Sequence, residues 1–81
     1  MGSAVSPELG QSIADARMAK GLTLEDLSTI TRLRQGILSA VEAGDLDAFG
    51  GDTYARGHLR VIAGVLDLDP DALIRDYEAA L

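Results

Sequence analysis

The chain has 81 residues, of which 47% are hydrophobic and 25% charged, and its net charge at pH 7 is −6. This length allows one domain with a single core, and the hydrophobic content is high enough for folding. The absence of cysteine excludes disulfides, thiolate metal sites and a cysteine nucleophile. No apolar run reaches the roughly 18 residues that a membrane span needs, so this stretch is expected to be cytosolic.

The chain divides into a short tail and one domain with uneven charge. Residues 1–5 are too short and too polar for a signal peptide, and a disordered tail, in part a cloning remnant, is expected there. Residues 6–81 are expected to form the domain. Residues 1–40 hold four acids and four bases, whereas residues 41–81 hold nine acids and three arginines. Nucleic-acid-binding modules usually present a basic face. The only candidate for a basic, DNA-binding patch therefore lies in the first half of the chain.

Capping residues and apolar periodicity predict three helices in the first half. The first begins with Ser6 as its N-cap, followed by a proline in its first turn, and it ends at Gly21. Thr23 caps the second helix with a weak capping box. A short break at residues 31–32 leads to the third helix, which closes at Gly44.

Two further helices are predicted in the second half of the chain. They follow a loop, residues 44–51, that has Leu46 and Phe49 as its apolar anchors. Asp52 is predicted to cap the fourth helix, and Asp69 precedes the proline that starts the fifth. Since no run of β-branched residues alternates with polar ones, no strand is expected.

Apolar residues at helical spacing define the predicted core. The buried edge of the second helix is predicted to consist of Leu24, Leu27 and Ile30. The predicted core residues are Leu9, Ile13, Leu24, Leu27, Ile37, Leu38, Val41, Leu59, Ile62, Leu66 and Leu73.

The fourth predicted helix carries two apolar stripes. At about 100° per residue, one stripe is roughly 100° wide and faces the core. The other lies about 90° to one side of it and comprises Tyr54, His58, Val61 and Val65. Two interpretations remain open for this second stripe. It packs under the fifth helix or the loop around Phe49, or it is a docking surface, for which the polar tips of Tyr54 and His58 suit a half-wet rim.

Catalysis and cofactor binding are not expected. His58 is the only histidine, and no nucleophile, base and oxyanion set can be assembled around it. The carboxylates of Asp45, Asp47 and Asp52 lack the spacing of a calcium loop and indicate turn and cap chemistry. The sequence therefore predicts a binding domain with no metal and no cofactor.

The central stretch GLTLEDLSTITRLRQGILSAVEAGD resembles the helix-turn-helix of lambda-repressor-type domains. From about residue 8 to residue 79 the chain is similar to the cytoplasmic N-terminal domain of RodZ-like proteins. The most specific pieces are GLTLE, AVEAGD and YARGHLR. The chain departs from the family pattern where Gly50 replaces the usual proline and where His58 and Ile62 replace aromatic residues.

This resemblance implies an all-α, five-helix, lambda-repressor-like (Cro/CI-type) domain. It implies docking onto the actin-like cytoskeletal protein MreB, or an equivalent, through the fourth helix. The parent protein would be anchored in the cell membrane C-terminal to this domain, with the domain tethered at the cytoplasmic face. The expected partner-binding residues are Tyr54, His58, Val61, Val65, Arg56 and Arg60.

The alternative function is a DNA-binding transcriptional regulator of the lambda-repressor type that uses the third helix. Arginine suits guanine and glutamine suits adenine at the base edges of the major groove. Gly36 offers no side chain at an entry position, and the net charge of −6 leads us to expect weak or absent DNA binding. The candidate DNA-binding residues are Arg32, Arg34, Gln35 and Ser39.

Overall fold

A computed structural model describes residues 3–81. They form α1 (Pro7–Ala19), α2 (Leu24–Thr31), α3 (Gln35–Glu42), the 3-10 helix η1 (Leu46–Phe49), α4 (Asp52–Leu66) and α5 (Pro70–Ala79). The predicted all-α, five-helix class is confirmed. The only β-type pairing among the described residues is an isolated antiparallel bridge. Across the same residues, each helix is too short or too polar to cross a membrane.

The residues before α1 lie against the domain. Ala4 is buried, its N–H donates to the Asp47 carboxylate at 3.1 Å, and its carbonyl accepts from the N–H of Leu46 at 2.9 Å. Val5 forms the isolated bridge with Asp45. Ala4 and Val5 of the predicted disordered tail therefore pack with the domain, because Asp45, Leu46 and Asp47 supply them with pairing partners. Residues 1 and 2 of the predicted tail lie outside the described residues.

Three predicted helix starts are present with their hydrogen bonds. Ser6 Oγ accepts from the N–H of Leu9, the third residue of α1, at 3.1 Å. Thr23 and Asp26 form a complete capping box at α2, with distances of 3.0 and 2.9 Å. The Asp69 carboxylate accepts from an N–H in the first turn of α5 at 3.0 Å. These local pairings satisfy N–H groups that have no partner inside their helices.

The prediction that Asp52 caps α4 is wrong. The N-cap is Gly51, which has a φ of +112° that favours glycine, and Asp52 is the first helical residue. The Asp52 carboxylate instead accepts a hydrogen bond from the hydroxyl of Tyr77 on α5. Its role is therefore to join α4 to α5.

The turn between α2 and α3 is held by side chains that bond to the backbone. Arg32 ends α2 in the left-handed conformation, with a φ of +63°. The Thr31 hydroxyl donates to the carbonyl of Leu27 at 2.7 Å and accepts from the N–H of Leu33 at 3.3 Å. Ser28 Oγ donates to the carbonyl of Leu33. Leu33 thus lies buried in the turn, and α3 begins two residues later.

Most of the predicted core is confirmed. Leu24 and Ile37 are half-buried at its margin. The assignment of Ile30 to the buried edge is wrong, since it is 52% exposed. The buried side of α2 carries Leu27 and Thr31, one turn apart, and Ile30 points about 100° away from Thr31. The predicted core residues found buried are Leu9, Ile13, Leu27, Leu38, Val41, Leu59, Ile62, Leu66 and Leu73.

Helices α1 and α3 meet at a glycine and an ion pair. A Cβ at Gly10 would lie 2.5 Å from the carbonyl oxygens of Val41 and Glu42, so only glycine allows this approach. Two nitrogens of Arg17 donate to the two carboxylate oxygens of Glu42 at 2.8 and 3.0 Å. A third nitrogen donates to the carbonyl of Leu22 at 2.9 Å. The Glu42 hydrogen bond raises the pKa of Arg17, which stays charged.

Candidate protein-docking site on the fourth helix

One face of α4 packs into the core and fixes the direction of its other faces. This is the first stripe read from the sequence, and its burial follows from helical spacing. Its buried residues are Ala55, Leu59, Ile62, Ala63 and Leu66. Because this face is fully covered, the rotation of α4 about its axis is determined, and so is the position of the second stripe.

The second stripe lies at the boundary between core and solvent. Tyr54 is 59% exposed and Val61 is 46% exposed, while His58 and Val65 are half-buried. Val65 packs against the core cluster. The interpretation of the whole stripe as core therefore does not hold for Tyr54 and Val61. The stripe presents an apolar, partly aromatic ridge to solvent.

Three rings run in sequence from the core to this ridge. Phe49 of η1 is buried with 3% exposure, and its ring centroid lies 5.8 Å from that of His58. The His58 ring lies 6.3 Å from the Tyr54 ring, with 18° between their planes. A Cβ added at Gly50 would lie 3.8 Å from Cδ2 of Tyr54, so a side chain at position 50 would contact the ring and glycine does not. Tyr54 is thus exposed, with the His58 ring beside it.

The two arginines expected at the site differ in their contacts. Arg56 Nε donates to Glu78 of α5 at 2.9 Å, and its guanidinium lies 5.6 Å above the ring of Tyr77. It also lies 3.8 Å from Asp52. The hydrogen bond to Glu78 is the main cause that raises the pKa of Arg56. Arg60 is exposed and forms no ion pair within residues 3–81, so it is the arginine available to a partner.

The surface of α4 between Arg60 and the apolar ridge has few protruding side chains. Gly57 and Gly64 are exposed there, and a Cβ added at either would meet no heavy atom within 4 Å. Helical geometry at about 100° per residue places both glycines between Arg60 and Val61 around the helix. A partner can therefore approach the backbone of α4 closely on this side.

The residues of the alternative DNA site are all exposed around the start of α3. Arg32 and Arg34 form no ion pair in the described part of the chain. In helix-turn-helix complexes the helix before the recognition helix crosses the phosphate backbone. Here that helix is α2, and its first turn carries Glu25 and Asp26, whose charge repels phosphate. The exposed set is Arg32, Arg34, Gln35 and Ser39.

The aspartates in the loop between α3 and α4 form structural hydrogen bonds. The Asp45 carboxylate accepts from the N–H of Asp47 at 3.1 Å, and the Asp47 carboxylate accepts from the N–H of Ala4. Across residues 3–81 no three potential metal-ligating side chains are grouped for an ion. These carboxylates therefore tie the loop and the N-terminal segment together.

Packing of the second stripe against the loop around Phe49 was one of the two interpretations of the sequence, but the sequence did not single out His58 as the residue of the stripe that lies beside Phe49. The two residues belong to different elements, η1 and α4, separated by the Gly50–Gly51 turn. Periodicity within one helix carries no information across such a turn. The aromatic character of both residues is the sequence feature that could have singled out this pair.

Comparison with known proteins agrees with this architecture. A family model described as a helix-turn-helix domain matches residues 13–73. The chain is 30% identical over 71 residues to the cytoskeleton protein RodZ of Streptococcus pneumoniae, covering 88% of this chain and 26% of RodZ. It is also 30% identical over 57 residues to the uncharacterized membrane protein YmfM of Bacillus subtilis, covering 70% of this chain and 20% of YmfM. The chain thus spans about a quarter or less of these relatives.

Two solved structures share the fold. One is a chain of the complex described as bacterial actin MreB assembling with cell shape protein RodZ, with a TM-score of 0.84 and 29% identity. The other is YmfM from Staphylococcus aureus, a membrane protein for which DNA binding has been suggested, with a TM-score of 0.78 and 25% identity. Each match covers 90% of this chain and 89% of the other. The chain therefore belongs to the helix-turn-helix domain family and has RodZ and YmfM among its relatives.

Proposed function

We propose that this domain is a non-enzymatic docking module that binds an actin-like cytoskeletal protein of the MreB type through α4. The observation that carries the proposal is the exposed ridge of Tyr54 and Val61 on that helix. It occurs in a fold that is similar to a chain of the RodZ–MreB complex. The domain would then contribute to cell shape by linking the cytoskeleton to its parent protein.

The chemistry of the ridge suits protein binding. Tyrosine offers a large, rigid face with a polar tip, and tyrosines are enriched among residues that dominate binding energy. Tyr54 is 59% exposed, so docking has a large apolar area left to bury. Arg60 lies at the rim, where a charge mainly affects the rate and specificity of association. Tyr54 is therefore the proposed anchor, with Val61 and Val65 beside it and Arg60 at the edge.

The membrane attachment of the parent protein is part of the same proposal. YmfM is named a membrane protein, and this chain corresponds to a fraction of YmfM and of RodZ. We place the membrane anchor C-terminal to α5 and the domain on the cytoplasmic side, where a cytoskeletal partner is found. The domain would thus hold that partner close to the inner face of the membrane.

Tyr54→Ala tests the docking site directly. Loss of a hot-spot aromatic weakens binding by about 2 kcal/mol or more, which is roughly a 30-fold increase in Kd. Titration of purified MreB with the domain, followed by anisotropy or calorimetry, measures this change. The melting temperature should stay close to that of the native domain, because Tyr54 is mostly exposed.

Ile30→Ala is the matched control for this experiment. Ile30 is a large apolar residue of similar exposure, 52%, but it lies on α2 outside the ridge. Its variant should bind MreB as the native domain does. Normal binding by a folded Tyr54→Ala variant would show that the partner docks elsewhere.

One observation favours a second candidate, a DNA-binding regulator. Arg32, Arg34, Gln35 and Ser39 are exposed together on the helix-turn-helix pair. The acidic first turn of α2 and the net charge of −6 both oppose approach to phosphates. The docking function is the one that the geometry supports better.

A further inference from the structure

We infer that His58 is a positioning residue, which holds the ring of Tyr54 in the orientation that meets the partner. This inference rests on the proposed docking function and concerns the same surface. It assigns His58 a role inside the domain, through its neighbours Phe49 and Tyr54, rather than a direct bond to the partner.

The first step is the support of His58. Phe49 is 3% exposed, so its ring is immobilised by the close packing of the core. The His58 ring lies 5.8 Å from it with 36° between the planes. This spacing lies within the range of about 4.5–7 Å in which aromatic pairs attract each other. The imidazole therefore takes its position from a side chain that does not move.

The second step is the support of Tyr54. Its ring lies 6.3 Å from the imidazole, nearly parallel at 18°. The two residues are four apart on α4, the spacing at which side chains on one helix face meet. Gly50, whose φ of +91° favours glycine, has no Cβ, and one added there would lie 3.8 Å from Cδ2 of Tyr54. The imidazole of His58 is therefore the ring that lies beside the exposed Tyr54 ring and restricts its orientation.

The third step is the consequence for binding. An exposed side chain that must be ordered on association loses conformational entropy, and pre-orientation reduces this cost. A ring whose orientation the imidazole already restricts presents its apolar face to the partner with less further ordering. His58 thus raises the affinity of the site through Tyr54, and any flat ring at position 58 should serve.

Two variants separate positioning from direct contact. His58→Ala removes the imidazole, whereas His58→Phe keeps a ring and removes both ring nitrogens. The ring-proton resonances of Tyr54 report its orientation in the free domain, and Tyr54→Ala identifies them because the chain has only two tyrosines. In His58→Ala these resonances should move toward those of an unstructured tyrosine, and in His58→Phe they should remain displaced.

Binding to purified MreB gives the second readout. His58→Ala should raise the Kd about 2- to 10-fold, as expected for the loss of one aromatic pair. His58→Phe should restore the Kd to within about a factor of two of the native value. Ile30→Ala again serves as the control for an unrelated truncation. The melting temperatures of all variants establish that each one is folded.

Several outcomes would overturn the inference while leaving the proposed function intact. They are unchanged Tyr54 resonances in His58→Ala, unchanged affinity in His58→Ala, or failure of folded His58→Phe to rescue binding. If the native domain does not bind MreB, or if folded Tyr54→Ala binds MreB as tightly as the native domain, the proposed function fails instead. The resonances, measured without a partner, then still decide whether His58 orients Tyr54.

Discussion

At the scale of single residues, the domain depends on aliphatic side chains that are completely removed from water. Leu59 is at 0% exposure at the centre of the buried face of α4, whereas Val61, two residues on, is 46% exposed. The same helix therefore offers a buried and an exposed position for the same kind of truncation.

Leu59→Ala should lower the free energy of unfolding by about 2–5 kcal/mol, because it removes apolar contacts and leaves a cavity. The total free energy of unfolding of small domains is about 5–15 kcal/mol, so this loss is a large share of it. Urea denaturation followed by circular dichroism measures it. Val61→Ala is the control and should cost well under half as much. Equal costs for the two variants would show that the helix register is wrong.

Tyr77 provides a second prediction at this scale, in the dependence of stability on pH. Burial, and next the hydrogen bond to Asp52, raise the pKa of Tyr77 to about 12. In the unfolded chain the phenol ionises at its ordinary value near 10. Between these values the folded state retains a proton that the unfolded state releases, so stability falls as pH rises from about 10 to about 12.

Below that window the contribution of Tyr77 is fully present, and above it the contribution is lost. Tyr77→Phe removes the titrating group, so its unfolding free energy should decline less steeply over the same range. Chemical denaturation of both proteins at several pH values between 9 and 12 gives the comparison. Parallel declines in the two proteins would rule out Tyr77 as the source.

At the scale of elements, close approach of helices is decided by glycine as much as by apolar contact. Gly10 lets α1 lie directly on the carbonyl end of α3, and the Arg17–Glu42 pair closes the same junction. Gly64 of α4 is also in a helix interior, but space around it is open. Substitution by alanine is therefore expected to have opposite effects on stability at these two glycines.

Gly10→Ala should destabilise the domain by about 1–3 kcal/mol, because the new Cβ would force α1 and α3 apart. This cost outweighs the gain in helix propensity of about 1 kcal/mol that alanine brings. Gly64→Ala receives that gain without the clash and should be stabilised by up to about 1 kcal/mol. Thermal unfolding of the pair tests both signs. A stable Gly10→Ala variant would mean that α1 and α3 pack less closely than described.

At the scale of the whole molecule, the arrangement of charge separates the two candidate functions. Arg17, Lys20 and Arg56 are all engaged in ion pairs within the domain. Arg32 and Arg34 form none in the described part, and they lie in an otherwise acidic molecule with a net charge of −6. Arg60 and Arg75, which also form no ion pair among residues 3–81, lie on α4 and α5, so the patch beside α3 is limited to about two side chains.

We expect binding to duplex DNA to be weak and independent of sequence. Neutralising two phosphates gives a log Kobs against log salt slope of only about −2. Anisotropy titrations at several salt concentrations measure that slope, and replacing Arg32 and Arg34 together by alanine should abolish the residual binding. Sequence-selective binding with a Kd below about 10⁻⁸ M at physiological salt would instead favour the DNA-binding regulator.

Features that depend on neighbouring residues were predictable from the sequence. The caps at Ser6 and Thr23 and the buried face of α4 follow from local hydrogen bonding and helical spacing, which a sequence displays directly. The resemblance over most of the chain likewise indicated the helix-turn-helix fold. These predictions needed no information about which elements meet in space.

Tertiary structure alone decided what covers each surface. Periodicity gave the angular positions of Ile30 and of the Tyr54 stripe on their helices. Whether other helices cover these positions is decided by the tertiary structure, which leaves Ile30 52% and Tyr54 59% exposed. The tertiary structure also pairs Asp52, which was predicted to be a cap, with Tyr77. It places the ring of Phe49 next to that of His58. The physical reason is that angular position on a helix is a local property. Burial and pairing are set by residues distant in the chain, whose approach no local pattern records.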